Sequence, residues 1–584
     1  MVQTAAVIGR EFAARLLRRM ADIQARLDDC LSELKNLELL YEQRVFPDLE
    51  YMFKHVLTQE AAYNSLLSSR RTRLHTAIGL AMEELYQERL AEYYEELAHH
   101  FTQGEAWEEA FFYPCKAGDK ARQAYANQEA MAFYTRAIEG SSRITPALDV
   151  AQLLPVYEGR GLVWMLQSKY DEAIADFQMM RQMAQPSGNQ QKEGESLCYL
   201  ANAHWQTFSA ERISLVDQYA QEALQLAQQS GDQKILARSL TSLGAIDVWH
   251  GNLQEAYGKI DEALQIGRRE GYKDCMAQSL MFLCGPPYWQ GDFQRAIALG
   301  QEGVAVARDI YDGFHELYTL SFLCLAYWSA GEYAQALTVW RDGMTKAKER
   351  DNKFIIGRLT NTRGWFHSEF GDVSRAIEYD QESVELGRVA RVSNVAISAL
   401  INLGLDYFAL GQHERALAYL KPTLERVERE ASGAHRWRWK IRLRIGLAEF
   451  SYTTGAYEQA LRYMEAGLQE AQATSSQKYI TKGWALRGKL AARLGDSNTA
   501  GAELQRAVTR AEQLQSPSIL YPIAYDLGQW YEMTGQEQQA AALYGKAQAA
   551  IEHMATAVED EALRSVFLQS APVQAVHDSF ARTR

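Results

Sequence analysis

A short phrase opening with glycine returns eight times between residues 251 and 540. Its glycines are Gly251, Gly291, Gly331, Gly371, Gly411, Gly455, Gly495 and Gly535, spaced by 40 residues except for one interval of 44. Five residues after each stands an alanine: Ala256, Ala296, Ala336, Ala376, Ala416, Ala460, Ala500 and Ala540. Seven residues before each stands a small side chain: Gly244, Cys284, Cys324, Gly364, Gly404, Ala448, Gly488 and Gly528. Twelve residues after comes a third small position, from Ala263 to Ala547. A chain with this register folds as stacked helix pairs. The glycine takes the left-handed conformation that ends one helix. The small residues mark where that helix and the next cross closely. One pair cannot bury its apolar face alone, so pairs stack into an all-α solenoid. A 40-residue unit accommodates two helices of roughly 17 residues, about 26 Å each.

Leu243-Gly244, Leu403-Gly404 and Leu527-Gly528 on first helices resemble the tetratricopeptide repeat, as do Tyr333 with Ala336 and Tyr457 with Ala460 on second helices. The period departs from the usual ~34 residues of that family. Upstream the register continues in weaker form. Trp107-Glu108-Glu109-Ala110 and Gln128-Glu129-Ala130 open helices, and Tyr170-Asp171-Glu172-Ala173 follows Ser168 where glycine would stand. Gln221-Glu222-Ala223 precedes Asp261-Glu262-Ala263 by 40 residues. The expected organisation is a superhelix of about eleven pairs over 103–556, then a capping helix and frayed tail over 557–584.

Residues 1–102 fall outside the repeat. Val7-Ile8-Gly9-Arg10-Glu11-Phe12, the stretch Tyr51-Met52-Phe53-Lys54-His55-Val56 after a break at Phe46-Pro47, and Ser69-Arg70-Arg71-Thr72-Arg73-Leu74-His75 occur in that order. They resemble the winged-helix segment of bacterial signal-transduction ATPases with numerous domains, regulators often linked to class III adenylate or guanylate cyclases. The resemblance implies a winged-helix-like helical domain over 1–102 that precedes a helical-repeat arm. It also implies a nucleotide-sensing role for His55, effective only with an ATPase core. No Gly-x-x-x-x-Gly-Lys-Ser/Thr loop occurs in the sequence. The chain is expected to be the C-terminal part of such a regulator, made alone or as a fragment.

Composition narrows the function. A formal charge of −13 argues against general nucleic-acid or anionic-membrane binding, though not against a local basic patch. The six cysteines form no Cys-x-x-Cys, and two sit in the small packing slot, as buried thiols in a reducing compartment would. The longest uncharged run, Leu317 to Ala330, is too short to span a bilayer, and no secretory core follows the early arginines, so the expectation is cytoplasmic. His99-His100 point about 100° apart on a helix with no third ligand evident, which gives no metal site. No catalytic motif or carboxylate pair stands out. The expected protein has no catalytic residue and no cofactor, and is not an enzyme.

The basic run His435 to Arg444 places Arg438 and Arg442 on one helical face and Arg436, Lys440 and Arg444 on another. A solvated helix or a groove lining accounts for it better than nucleic-acid stacking. In tetratricopeptide arrays the first helices line the concave surface. There the register places Trp249, Tyr288, Trp289, Trp328, Phe408 and Tyr452, with Arg358, Arg438, Arg442, Lys482, Lys489 and Arg493 further along. Aromatic and arginine side chains are common interface anchors. The resulting expectation is a regulatory scaffold that binds a protein or peptide in this groove, with an ATPase or cyclase module among the candidate partners. The alternative is the sensor arm of a nucleotide-switched ATPase or cyclase regulator whose catalytic domains are absent from the chain.

Overall fold

The computed structural model describes residues 1–20, 26–44, 49–124, 126–167, 169–207, 210–389, 393–429 and 435–583. Phe46-Pro47 and Ser168 lie outside the described residues. The chain divides into two compact units, Met1–Ala203 and His204–Arg584. Among the described residues no helix is long and apolar enough to cross a membrane.

The second unit holds eight helix pairs, from Gln233–His250 with Leu253–Glu270 to Pro517–Met533 with Glu537–Ala557. All eight turn glycines have positive φ, between 72° and 94°. The amide after the glycine reaches back five residues to cap the helix, as from Glu332 to the Tyr327 carbonyl at 2.9 Å. The small residue seven positions before the glycine receives the side chain nine positions after it. A Cβ on Gly244 would stand 2.3 Å from Ile260, one on Gly404 2.5 Å from Leu420, and one on Gly528 2.6 Å from Tyr544. The eight alanines are at most 1% exposed, and Cys284 and Cys324 fill the small slot as buried thiols. Most helices run 17 or 18 residues. One first helix is broken into Lys273–Leu283 and Gly285–Gln290 at Pro286-Pro287, because proline brings no amide hydrogen to the helical ladder.

The array also packs on itself. The Trp437 indole donates to the Val248 carbonyl at 3.1 Å, and the His553 Nε2 lies 3.2 Å from the Gly331 carbonyl. Phe370 meets Phe567 with ring centroids 4.8 Å apart. In each case the turn end of one repeat meets helices about five repeats further on. Beyond the last pair, residues expected to fray form a helix, Ala571–Thr583, anchored by fully buried Val573 and Val576.

In the first unit, helix pairs Trp107–Gln123 with Asn127–Ser141 and Val150–Leu166 with Tyr170–Ala184 follow a smaller α/β segment. That segment, expected as a winged-helix-like helical domain, contains three short strands beside its helices. Helix Val2–Ile8 leads to strand β1 (Glu11–Ala13), helices Ala14–Met20 and Leu27–Asn36, then β2 (Leu40–Arg44) and β3 (Glu50–Phe53). The sheet is antiparallel in the order β1-β3-β2, with Phe12 opposite Tyr51 and Tyr41 opposite Met52. Helices Ser68–Leu85 and Tyr94–Gln103 then bring together the third imidazole that the sequence did not reveal. His75 Nδ1 lies 2.9 Å from His100 Nδ1, its Nε2 3.1 Å from the Tyr63 hydroxyl, and its ring 5.5 Å from that of His99. No His, Cys, Asp and Glu grouping among the described residues is arranged to hold a metal.

Two predictions follow from this packing. Ala336→Leu and Ala376→Leu should each destabilise the second unit by about 1–3 kcal/mol through overpacking. Gln335→Ala, at an exposed position, should cost under ~0.5 kcal/mol in the same denaturant titration. In the first unit, burial pushes His75 down to about 4 and His100 to about 3. The unfolded chain therefore takes up protons below ~6.5 that the folded chain refuses, so stability falls as pH drops from about 6.5 towards 4. His100→Leu should flatten that acid loss, read by hydrogen exchange of amides in residues 68–103.

Candidate functional site

Six successive first helices of the second unit line a half-open cavity of about 150 Å3. Its wall is built by helical spacing, since residues three or four apart share a face. Helix Lys353–Glu369 contributes Arg358, Asn361 and Trp365, helix Ser393–Ala409 contributes Ser398 and Asn402, and helix Arg436–Thr453 contributes Trp437, Arg438 and Arg442. Trp289 enters from the short segment after the proline break, packed on Gly285 so closely that a Cβ there would stand 2.9 Å from the ring.

The cations of this cavity rest on aromatic faces. Arg438 lies 5.1 Å from the Trp289 centroid, Arg358 4.3 Å from Phe322, and Lys478 4.7 Å from Trp365. Arg442 donates to the Asn402 side-chain oxygen. Among the described residues no carboxylate stands within ion-pairing distance of Arg358, Arg438 or Arg442, whereas Lys478 lies 3.6 Å from Glu369 and Lys489 3.2 Å from Asp526. Burial, then the charges of Arg358 and Arg442, lower Arg438 to about 10. Burial alone would lower Lys482 too, but Glu449, Tyr479 and Glu369 hold it above its ordinary value. The lumen is thus charge-matched along its Lys478–Lys489 side and unmatched around the three arginines. His435, buried between Trp249 and Trp289, is kept neutral by its burial and by Arg438 and Arg358.

The basic run separates as its helical faces require. Arg438 and Arg442 look into the cavity. On the other face Lys440 pairs with Glu470 at 3.2 Å, Arg444 pairs with Glu470 and Glu428 at 3.0 and 2.9 Å, and Arg436 donates to the Val427 carbonyl. The residues expected along the groove fall into three groups. Tyr288, Trp289, Arg438 and Arg442 line the cavity. Trp249 and Trp328 do not face an open groove: they are 2% and 0% exposed, because Trp205 and Phe282 crowd the first end of the array and Phe366 stacks on Trp328 at 3.7 Å. Phe408, Tyr452 and Lys489 are half-buried nearer the turn ends, and Arg493 is exposed with its Nε 3.3 Å from the Tyr452 hydroxyl. In the first unit, exposed His55 occupies the position before helix Val56–Asn64 without capping it through its side chain.

One constellation escaped the sequence reading. Asp380 and Asp406 are a buried carboxyl pair, 0% and 1% exposed. Asn361 and Asn402 donate to Asp380 at 2.6 and 3.2 Å, and Ser368 donates to Asp406 at 2.5 Å. Asp380 lies nine residues after its turn glycine, where other repeats carry Ile260, Leu420, Leu504 or Tyr544. A carboxylate in an apolar slot was the available signal. Burial, reinforced by Asp406, raises Asp380 well above the carboxylate range, and burial raises Asp406 to about 7.

Residues 397–435 match the tetratricopeptide repeat family. The array is a tetratricopeptide-like solenoid. No curated protein sequence matches the chain. Among solved structures, the Cut9 and Hcn1 hetero-tetramer of the anaphase-promoting complex resembles 91% of this chain and 99% of its own at 13% identity and a TM-score of 0.41. A Rap protein complexed with competence and sporulation factor covers 69% and 99% at 13% identity and 0.38. A signal-transduction ATPase with numerous domains and a tetratricopeptide repeat sensor, from Pyrococcus horikoshii, covers 81% of this chain, which spans 63% of it, at 13% identity and 0.34. None of these likenesses bears on function.

The carboxyl pair makes the solenoid pH-sensitive in the direction opposite to the histidines. The unfolded chain releases the Asp406 proton near 3.8, while the folded chain keeps it until about 7, so this group's stabilisation is lost as pH rises across that window. Asp406→Asn should stabilise the second unit at pH 8 by on the order of 2 kcal/mol and weaken its pH dependence between 4 and 7, measured by thermal melts.

Proposed function

We propose that the chain is a non-catalytic, cytoplasmic interaction arm whose protein partner docks on the turn ends of the last four repeats. One observation carries this reading. At Gly251, Gly291, Gly331 and Gly371 an added Cβ would meet Trp437, Leu514, Pro517 and Ser570, so those turn ends already seat other helices. At Gly411, Gly455, Gly495 and Gly535 it would meet nothing within 4 Å. The uncovered ends expose Leu410 (43%), Leu494 (62%) and Met533 (74%), beside Phe408, Tyr452 and Arg493. Apolar side chains rimmed by tyrosine and arginine have the composition of an interface centre. Turn ends that seat helices four times within the array have the shape a helical protein partner would use.

A second reading concerns the first unit. The order helix, strand, helix, helix, strand, strand, with sheet order β1-β3-β2, is that expected of a winged helix. It favours descent from a nucleotide-switched regulator, in which His55 would meet an ATPase core and the solenoid would act as its sensor. The two readings separate by mutation. Proteins that co-purify with the chain from its own cells should be lost with the double change Arg493→Glu and Leu494→Asp, which should leave circular dichroism and the melting temperature unchanged. Full retention overturns the turn-end surface. Loss with His55→Ala alone would instead assign recognition to the first unit.

A further inference from the structure

The three arginines around the cavity are hard to account for as structural elements. All three are half-buried; withdrawing a guanidinium from water without an anionic partner carries a cost, and placing three around one small cavity adds mutual repulsion. Elsewhere in the same lumen the cost is met locally, by Glu369 for Lys478 and Asp526 for Lys489. Here a hydrogen-bonded path runs from Arg442 through Asn402 to the buried Asp380. Burial raises Asp380 well above the carboxylate range and Asp406 to about 7, which reduces the negative charge they offer the arginines. Arg358 keeps a buried Nε with no hydrogen-bond acceptor. Cation–aromatic contacts at Trp289 and Phe322 hold the guanidinium groups in place without neutralising them.

We propose that this cavity is a binding site for a small phosphate ester. Its phosphoryl oxygens are held by Arg358, Arg438 and Arg442, and its organic part lies against Trp289, Trp365 and Trp437. Charge selects the phosphate. A phosphomonoester carries about −1.5 to −2 near neutral pH and presents three acceptor oxygens, whereas a carboxylate would leave most of the positive charge unmet. Arginine's planar fork suits this recognition better than lysine's point charge. Size selects the ester. At roughly 10–15 Å3 per water, a cavity of about 150 Å3 holds on the order of ten waters, hence a ligand of about as many non-hydrogen atoms. That volume suits a compact small molecule better than a helix, an extended peptide or a nucleic acid. It fits a phosphate joined to one ring or a short chain. Asn402 ties the site to the buried carboxyl pair by accepting from Arg442 while donating to Asp380, which fixes the guanidinium before any ligand arrives. This site shares no residue with the turn-end surface, so each stands or falls separately.

Isothermal titration of the full chain at constant ionic strength tests the proposal, with phenyl phosphate, inorganic phosphate and benzoate as probes. The expected result is one phenyl phosphate per chain, bound more tightly than inorganic phosphate, with benzoate weakest. Arg438→Met and Arg442→Met should each lower the affinity at least tenfold. Without ligand they should melt at the same or a higher temperature, because each removes an uncompensated charge, whereas a purely structural arginine would lower it. Arg438→Lys keeps the charge and loses the paired donors, so it should weaken binding even if the methionine variant does not fold. No saturable binding of phenyl phosphate at millimolar concentration overturns the site, as does unchanged affinity in the arginine variants. Benzoate binding as tightly overturns the phosphate assignment, and equal affinity for inorganic phosphate overturns the ester.

Discussion

Everything in the second unit follows from how closely two helices cross at each turn. The slot at Gly244, Gly404 or Gly528 admits Ile260, Leu420 or Tyr544 only because it carries no Cβ. The alanine five residues past the glycine lets the second helix lie against the first. Because that crossing recurs with little variation, each repeat is rotated from its neighbour by nearly the same amount, and the rotations accumulate into a superhelix. In this chain they bring the turn ends of the first four repeats onto helices about five repeats away. Trp437, Leu514, Pro517 and Ser570 are the seats of that self-contact.

Self-contact changes what the inner surface can be. Instead of a continuous open groove, the first helices surround a narrow lumen whose charges are sorted by position. Lysines late in the array have acidic partners, and arginines in the middle stack on tryptophan and phenylalanine. The same middle section houses the two carboxyl groups that replace apolar residues in the repeat. Deviation from the repeat, rather than the repeat itself, therefore marks where the array is specialised. Most positions serve the stacking, and a few first-helix residues within two turns of each other carry the chemistry.

Surface and lumen thus divide the work. The turn ends that no helix covers expose Leu410, Leu494 and Met533, the surface proposed for a helical partner. The cavity has the volume of a small molecule, and three arginines without a carboxylate partner among the described residues line it. Occupying it would place a negative charge among groups that now repel one another, so a small ligand there and a protein at the turn ends could each act on the same array without competing for a residue.

The eightfold glycine register, the helix pairs, their length and the two faces of the 435–444 run were legible in the sequence, since each depends on spacing within one repeat. The left-handed φ of every turn glycine and the burial of every following alanine answer to that local rule. Other features were decided by tertiary structure. Trp249 and Trp328 carry the same pattern as groove residues, and only the arrival of neighbours such as Trp205 and Phe366 buries them. His75 meets His100 through the packing of two helices 25 residues apart, and Asp380 meets Asp406 across a helix pair boundary. The three short strands fall in stretches too brief for a period of two to be distinguished from a helical face. The self-contact of the array depends on a small rotation summed over about five repeats, a quantity that no single 40-residue unit contains.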